Sequence, residues 1–241
     1  MTTVLEICTG AGMLSKGFHD EGFDLWPLCE IDDRMRQMYE AWSGERHEYA
    51  SIDECIHRAE GSAYMLSARP RILIGGPPCQ AHSKTRSIHP PKFADLTPQV
   101  NAMIDLLKPD VFLFENVVPL ALDVPHVTTK CDAMHWPLVP GIHQSRPRWF
   151  THSPALQAPE PLCEGTVDSL VAYPVVMGRV YGPKRGAILQ GWPEFAGLAF
   201  PCAWLQLALA NGVPVPLARA WAQKIKELVE SMKQKGAARA C

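Results

Sequence analysis

Short apolar runs alternate with helical patterns along the first half of the chain, and this alternation constrains the fold more than any other feature. Apolar runs of strand length occupy residues 4–8, 23–29, 71–75 and 111–114. The stretches between them predict helices at residues 13–21, 32–42 and 100–107. Strands that alternate with helices build parallel sheets covered on both faces. We therefore predict an α/β fold with a doubly wound, mostly parallel, Rossmann-like sheet.

The sequence changes character after residue 150. Prolines recur in the next stretch, which has weak periodicity, at positions 154, 159, 161, 174 and 183. We expect a main domain over residues 1–150 and a small irregular lobe over residues 151–184. Residues 185–241 are expected to return to the main domain, ending in a strong helix over residues 218–235 that begins after Pro216.

Charge and cysteine content exclude several classes of protein. The 23 basic and 25 acidic side chains give a net charge of −2, so any contact with nucleic acid must come from a local patch. The eight cysteines include no Cys-x-x-Cys pair, which disfavours a zinc site and a disulfide framework and predicts no bound metal. Free thiols fit a reducing cytoplasm. No apolar run reaches about 18 residues, so we expect neither a signal peptide nor a membrane span.

One loop presents a candidate nucleophile. Residues 75–83 read Gly-Gly-Pro-Pro-Cys-Gln-Ala-His-Ser, directly after the apolar run that ends at Ile74. The glycines permit a tight turn and the prolines stiffen it. A thiol held on such a loop above a parallel sheet favours a nucleophilic role for Cys79. The alternative is an inert, packed cysteine after a turn.

A glycine turn follows the first predicted strand and indicates a ligand site. Gly10 and Gly12 lie between strand and helix, where a ligand can approach the backbone and the helix N-terminus. Glu30 stands twenty positions after Gly10, where an acid commonly accepts hydrogen bonds from ribose hydroxyls. These residues favour a nucleoside-bearing cofactor. A dinucleotide is disfavoured because its third glycine is missing, and a simple turn of small residues remains the alternative.

Two further segments carry polar side chains suited to catalysis. Glu115 and Asn116 end an apolar strand at the carboxyl edge, where poor hydration raises a carboxyl pKa and favours proton donation. The alternative is a helix N-cap. Gln144, Arg146 and Arg148 alternate along an extended segment and would face one side, where two guanidinium groups suit an anion or a base edge. Their alternative is a set of surface arginines on an edge strand.

These motifs, in this order, resemble the cytosine-C5 DNA methyltransferase family. The resemblance runs from Glu6 to Ile225. It is carried by the Pro-Cys-Gln loop at Cys79, by Glu115-Asn116-Val117 and by Gln144-x-Arg146-x-Arg148. It continues in Arg185, in Leu189-Gln190-Gly191-Trp192-Pro193, and in Asn211-Gly212-Val213 followed by Ala218.

The resemblance implies a mechanism and a cofactor, S-adenosylmethionine. The Cys79 thiolate would attack C6 of a flipped cytosine, Glu115 would act at N3, and Arg148, supported by Arg146, would hold O2. Cofactor contacts would come from Cys8, Gly10, Gly12, Glu30, Ile31, Ser51, Ile52, Pro78, Asn211 and Val213. Contacts to double-stranded DNA would come from Gln80, Ser83, Lys84, Arg86, Gln144, Arg179, Lys184 and Arg185.

The chain departs from the family pattern in the cofactor motifs and in size. Cys8 and His82 each stand where the family usually has Phe, and Met13 stands where it usually has Gly. Ser51 stands where an adenine-binding Asp is expected, and Asp53 is a candidate to replace that Asp. The family's target-recognition region is reduced here to about residues 151–184. A lobe of this size presents few base-reading side chains, so we expect a short or degenerate target. Tyr181 is a further candidate reader.

Two other functions stay open. The substrate could be RNA or a single strand, since the small lobe and modest charge permit either. The chain could also be a silent DNA-binding relative, although Cys79, Glu115 and both arginines are retained. We expect a monomer. Neither a partner restriction enzyme nor a viral or mobile-element origin is decided by the sequence.

Overall fold

A six-stranded sheet forms the centre of the protein. The computed structural model describes residues 2–59, 71–78, 94–137, 145–163 and 182–240. Within them the strands are β1 (Thr3–Ile7), β2 (Asp24–Cys29), β3 (Ile72–Gly75), β4 (Val111–Asn116), β5 (Val127–Asp132) and β6 (Pro147–His152). Their order is β2-β1-β3-β4-β6-β5, with β1 to β4 parallel and β6 antiparallel to both of its neighbours. The doubly wound, mostly parallel α/β fold is confirmed.

Helices cover the sheet and connect its strands. In the described ranges they are α1 (Met13–Asp20), α2 (Asp33–Ser43), α3 (Ile52–Ala59), α4 (Thr97–Leu107), α5 (Pro183–Leu189), α6 (Cys202–Asn211) and α7 (Val215–Ala240). Two 3₁₀ turns lie at Ala133–His135 and Pro193–Gly197. None of these described helices has both the length and the apolarity that crossing a bilayer requires.

Alternating residues of the strands build two cores, one on each face of the sheet. Helices α1 and α7 pack on one face, where Val4, Ile72 and Leu113 point. Helices α3 and α4 pack on the other face, where Leu5 and Leu73 point. Burial on both faces explains why these strands read as continuous apolar runs rather than as alternating ones.

A third apolar cluster attaches the C-terminal segment to the sheet. Met38 of α2 packs there with Trp192, Phe195 and Leu209. Gln190 is fully buried and donates its side-chain amide to the Leu209 carbonyl at 2.9 Å, while its own carbonyl accepts from Val215 N at 2.8 Å. The segment that follows the small lobe is therefore fixed against the main domain by α2, α5 and α6.

Several elements differ from the sequence-based predictions. Strand β4 continues through Asn116, whose side chain accepts from Val117 N at 2.7 Å rather than capping a helix. The final helix begins at Val215, three residues before its predicted start. Helices α3, α5 and α6 and strand β5 were not predicted. Polar side chains dominate the exposed face of β5, so its sequence lacks the apolar run that marks the other strands.

One carboxyl group lies inside the sheet. Glu6 of β1 is 1 % exposed and accepts a hydrogen bond from the Ser15 hydroxyl of α1. Burial raises the pKa of Glu6 from 4.5 to about 8, a rise that the Ser15 hydrogen bond opposes. Glu6 is thus mostly protonated at neutral pH. The folded state is more stable while that proton is bound than after it is lost.

This burial predicts a pH-dependent stability. A carboxyl group with a raised folded-state pKa contributes stability that is complete below about pH 4.5 and is lost as the pH approaches about 8. Between pH 5.5 and 8.5 the free energy of unfolding of the wild type should fall by about 3 kcal/mol relative to Glu6→Gln, measured by urea unfolding. Glu160→Gln, at an exposed position, should follow the wild type. Parallel pH curves for the wild type and Glu6→Gln would contradict the prediction.

Candidate active site

The polar side chains of the candidate site gather at the carboxyl edge of the parallel strands. Strand β1 leads into the glycine turn, β3 into residues 76–78, and β4 ends on Glu115 and Asn116. Strand β6 runs the opposite way, and its register pairs Glu115 with Phe150 and Asn116 with Trp149. The start of β6 therefore reaches the edge where β4 ends, which brings Arg148 to Glu115.

Glu115 and Arg148 form a buried ion pair. Arg148 Nε lies 2.7 Å from Glu115 Oε1, and the two side chains are 13 % and 9 % exposed. Burial raises the pKa of Glu115, and the positive charges of Arg148 and Arg146 oppose that rise. The site thus holds a carboxyl group that can keep a proton at higher pH than an exposed glutamate and is oriented by a guanidinium.

The loop after β3 passes directly beside Glu115. A Cβ atom on Gly76 would lie 3.6 Å from Glu115 Oε2 and 3.9 Å from the Cys8 carbonyl oxygen. Asn116 donates its side-chain amide to the Pro77 carbonyl at 3.2 Å. The backbone two residues before Cys79 is therefore fixed next to the buried carboxyl group. Cys79 itself lies outside the described residues, as do Gln80, Ser83, Lys84 and Arg86.

Arg146 makes contacts different from those of Arg148. Its side chain is almost fully buried, and Nη2 donates to the carbonyls of Ala210 at 2.6 Å and Gly212 at 2.9 Å. Arg146 therefore fastens the end of α6 to the site, while its charge still reaches Glu115. Gln144, expected on the same side, lies outside the described residues.

The glycine turn between β1 and α1 is strongly bent and open at its centre. Cys8, Gly10 and Gly12 have φ angles of 52°, 55° and 86°. A Cβ atom on Gly10 would meet nothing within 4 Å. Glu30 accepts Gly10 N at 2.8 Å and Asp32 N at 2.9 Å, and burial raises the pKa of Glu30. The neighbouring Ile31 is 60 % exposed.

The chemistry of this edge fits a nucleoside-bearing cofactor. An open glycine turn at a helix N-terminus leaves room for close approach to the backbone. The Glu30 carboxylate supplies acceptor capacity, and the exposed Ile31 supplies an apolar surface beside it. Among the described residues no cluster of His, Cys, Asp and Glu has the arrangement of a metal site.

Other predicted cofactor residues have varied surroundings. Ser51 directly precedes α3, and its hydroxyl accepts from Glu54 N at 3.1 Å, so this side chain caps the helix. Ile52 and Val213 are buried in the two cores. Asn211 is exposed at the end of α6, and Pro78 is half-buried.

The predicted DNA contacts lie mostly outside the described residues. Lys184 and Arg185 are exposed in the first turn of α5, while Arg179 and Tyr181 lie outside the described ranges.

Two contacts with the glycine turn were not predicted from the sequence, that of Trp42 with Ala11 and that of His47 with Thr9. A single Trp or His near the end of a helix forms no recognisable sequence pattern. Trp42 donates its indole N–H to the Ala11 carbonyl at 3.0 Å.

Comparison with known proteins identifies a family and similar folds. Residues 2–128 match the family described as C-5 cytosine-specific DNA methylase. Among curated proteins, no sequence matches the chain. One similar structure is described as a DNA modification methyltransferase encoded within an E. coli prophage, with 15 % identity, TM-score 0.65, and coverage of 95 % of this chain and 100 % of that one.

Two eukaryotic structures share the same fold. The methyltransferase EhMeth of Entamoeba histolytica has 15 % identity and a TM-score of 0.64, and the S. pombe Dnmt2 methyltransferase has 11 % and 0.62. Each alignment covers 96 % of this chain and 99 % of the other. At such identities the likeness shows the fold alone.

The packing of the glycine turn predicts a difference between its two glycines. A Cβ atom on Gly12 would lie 2.7 Å from the Trp42 ring and 2.8 Å from the Tyr39 ring, in addition to the cost of its positive φ. Gly12→Ala should lower the free energy of unfolding by about 3 kcal/mol, measured by urea unfolding. Gly10→Ala, with open space around it, should lose about 1 kcal/mol. Equal losses would contradict the packing described here.

Proposed function

Because the chain belongs to the C-5 cytosine-specific DNA methylase family, we propose that it transfers a methyl group from S-adenosylmethionine to C5 of cytosine in DNA. The buried Glu115–Arg148 pair carries the proposal. It lies beside the loop that leads into Cys79 and beside the end of β1. A nucleophile, a proton donor and a base-binding cation would thus act on one ring.

Glu115 is proposed as the group that acts at N3 of cytosine. Its burial favours the protonated form, which donates a hydrogen bond or a proton to the ring nitrogen. Arg148 orients the carboxyl group through Nε and would bind the cytosine O2. Because both side chains are largely shielded from water, both contacts to the base would be strengthened.

Cys79 is proposed as the nucleophile. Its thiolate forms a bond to C6, and the electron pair of the C5–C6 double bond shifts into the ring as N3 gains a proton or hydrogen bond. C5 thereby becomes nucleophilic. When bound, S-adenosylmethionine supplies the electrophilic methyl group. Transfer of the C5 proton to a solvent water then re-forms the C5–C6 double bond and expels the Cys79 thiolate, and any proton taken up by N3 returns to Glu115. The products are 5-methylcytosine and S-adenosylhomocysteine, and the enzyme is regenerated.

The glycine turn and the end of β2 are proposed to hold the cofactor. Gly10 leaves the backbone open before α1, and Gly12 lets the turn pack closely against Trp42 and Tyr39. Glu30 and Ile31 present an acceptor and an apolar surface. Arg146 keeps Gly212 next to this edge by bonding its carbonyl.

DNA is proposed as the substrate, with a short or degenerate target. Between the end of β6 and the start of α5, the described residues 153–163 contain neither helix nor strand. A lobe of only about residues 151–184 is too short to place many base-reading side chains in a groove. Lys184 and Arg185, both exposed, are proposed as backbone contacts together with Gln80, Ser83, Lys84, Arg86, Gln144 and Arg179.

The proposal predicts which cysteine is required. Nucleoside mass spectrometry of DNA from a methylation-free bacterial host should show 5-methylcytosine with the wild type and none with Cys79→Ser, because a hydroxyl is a far poorer nucleophile than a thiolate. Glu115→Gln should lower the yield at least about a hundredfold. Cys202→Ser, which changes an exposed cysteine at the start of α6, should behave as the wild type.

The same cells distinguish the alternatives. 5-Methylcytosine in RNA but not in DNA would replace the DNA substrate with RNA. Unmodified DNA and RNA, together with a wild-type protein that fails to bind S-adenosylmethionine in calorimetry, would overturn the enzymatic function. Conversion sequencing of the modified DNA reads the target, and a strict site of about six or more base pairs would contradict the expected short recognition.

A further inference from the structure

The glycine turn is held from outside by a histidine. His47 lies in the loop after α2, and its Nε2 is 2.7 Å from the hydroxyl oxygen of Thr9. Thr9 is 6 % exposed and directly precedes Gly10 in the turn. The same hydroxyl is 3.1 Å from the Gly10 carbonyl oxygen, to which it donates. Because a hydroxyl has one proton, the imidazole Nε2–H is then the donor to Thr9.

The surroundings of His47 favour this arrangement. The imidazole packs edge-on against Tyr39, with ring centroids 4.9 Å apart. Burial, with a further contribution from the charge of Arg36, lowers the pKa of His47 to about 4. At neutral pH the ring is uncharged and carries one N–H, which the hydrogen bond to Thr9 uses.

Trp42 provides a second attachment to the turn. Its indole N–H donates to the Ala11 carbonyl at 3.0 Å, and its ring packs edge-on against Trp192 at 5.1 Å. The turn is thus held at Thr9 and at Ala11, the residues on either side of Gly10. Gly10 has no neighbour that a Cβ atom would touch, so side-chain packing does not position it.

We propose that His47 is a positioning residue for the cofactor: through Thr9 it fixes the conformation of Gly10, whose N–H holds the Glu30 carboxylate that would bind S-adenosylmethionine. This inference rests on the proposed function. The Gly10 N–H bonds Glu30 at 2.8 Å, so the same contact also orients the carboxylate proposed to bind the cofactor. A turn that is already ordered loses less conformational entropy when the ligand binds.

Calorimetry with S-adenosylmethionine and with S-adenosylhomocysteine tests the role. His47→Ala should weaken the binding of both about fivefold to tenfold, the effect of losing one hydrogen bond. His47→Gln, whose terminal amide can reach the same oxygen, should restore affinity to within about twofold of the wild type. His126→Ala is the matched control. It removes an imidazole that is bonded to the Val124 carbonyl just before β5, the outer strand farthest from β1 and β2, and this variant should bind as the wild type.

A double-mutant cycle separates positioning from general stability. If His47 acts through the Thr9 hydroxyl, His47→Ala should not weaken binding further in a Thr9→Val background. Urea unfolding of each variant reports stability independently of affinity. If the wild type binds the cofactor and the His47→Ala variant binds it equally tightly, this inference alone is overturned. It is also overturned if His47→Ala weakens binding by the same factor in the wild-type and Thr9→Val backgrounds. A wild type that binds neither molecule would overturn the proposed function, and the inference with it.

Discussion

The antiparallel pairing of β6 with β4 determines where the charges of the candidate site lie. Glu115 is the second-to-last residue of the buried strand β4, where an unpaired carboxylate would be costly. Because β6 runs in the opposite direction, it begins where β4 ends and brings Arg148 within 2.7 Å of that carboxyl group. A parallel sixth strand would place its first residues at the far edge of the sheet and leave Glu115 without its cation.

The C-terminal part of the chain completes the site by returning to this edge. Arg146 bonds the carbonyls of Ala210 and Gly212, and Gln190 bonds the carbonyl of Leu209. Both side chains are buried and polar, and each therefore needs hydrogen-bond partners inside the protein. They find them in backbone carbonyls at the end of a helix, which have no partner within the helix itself. The packing of α6 and the start of α7 is thereby fixed relative to Glu115 and to the glycine turn.

The sequence predicted the parallel strands well because burial on both faces makes them apolar throughout, as in residues 72–75 and 111–116. It missed β5, an edge strand with mostly polar side chains, and α6, whose apolar residues surround the helix rather than follow one face. Glu115 and Arg148 could be selected from the sequence, but not their ion pair, which depends on strand register. The contact between Thr9 and His47 joins residues 38 positions apart and leaves no local pattern.

Trapping with a fluorinated substrate tests the covalent chemistry proposed for this site most directly. A duplex containing 5-fluorocytosine has no proton at C5 to lose after methylation, so the bond between the thiol and C6 should persist. With S-adenosylmethionine, the wild type should give a covalent protein–DNA adduct that carries the added methyl group and maps to Cys79. The Cys79→Ser variant should give none. An adduct at another residue, or methylation of normal DNA by a protein that gives no adduct, would contradict the mechanism.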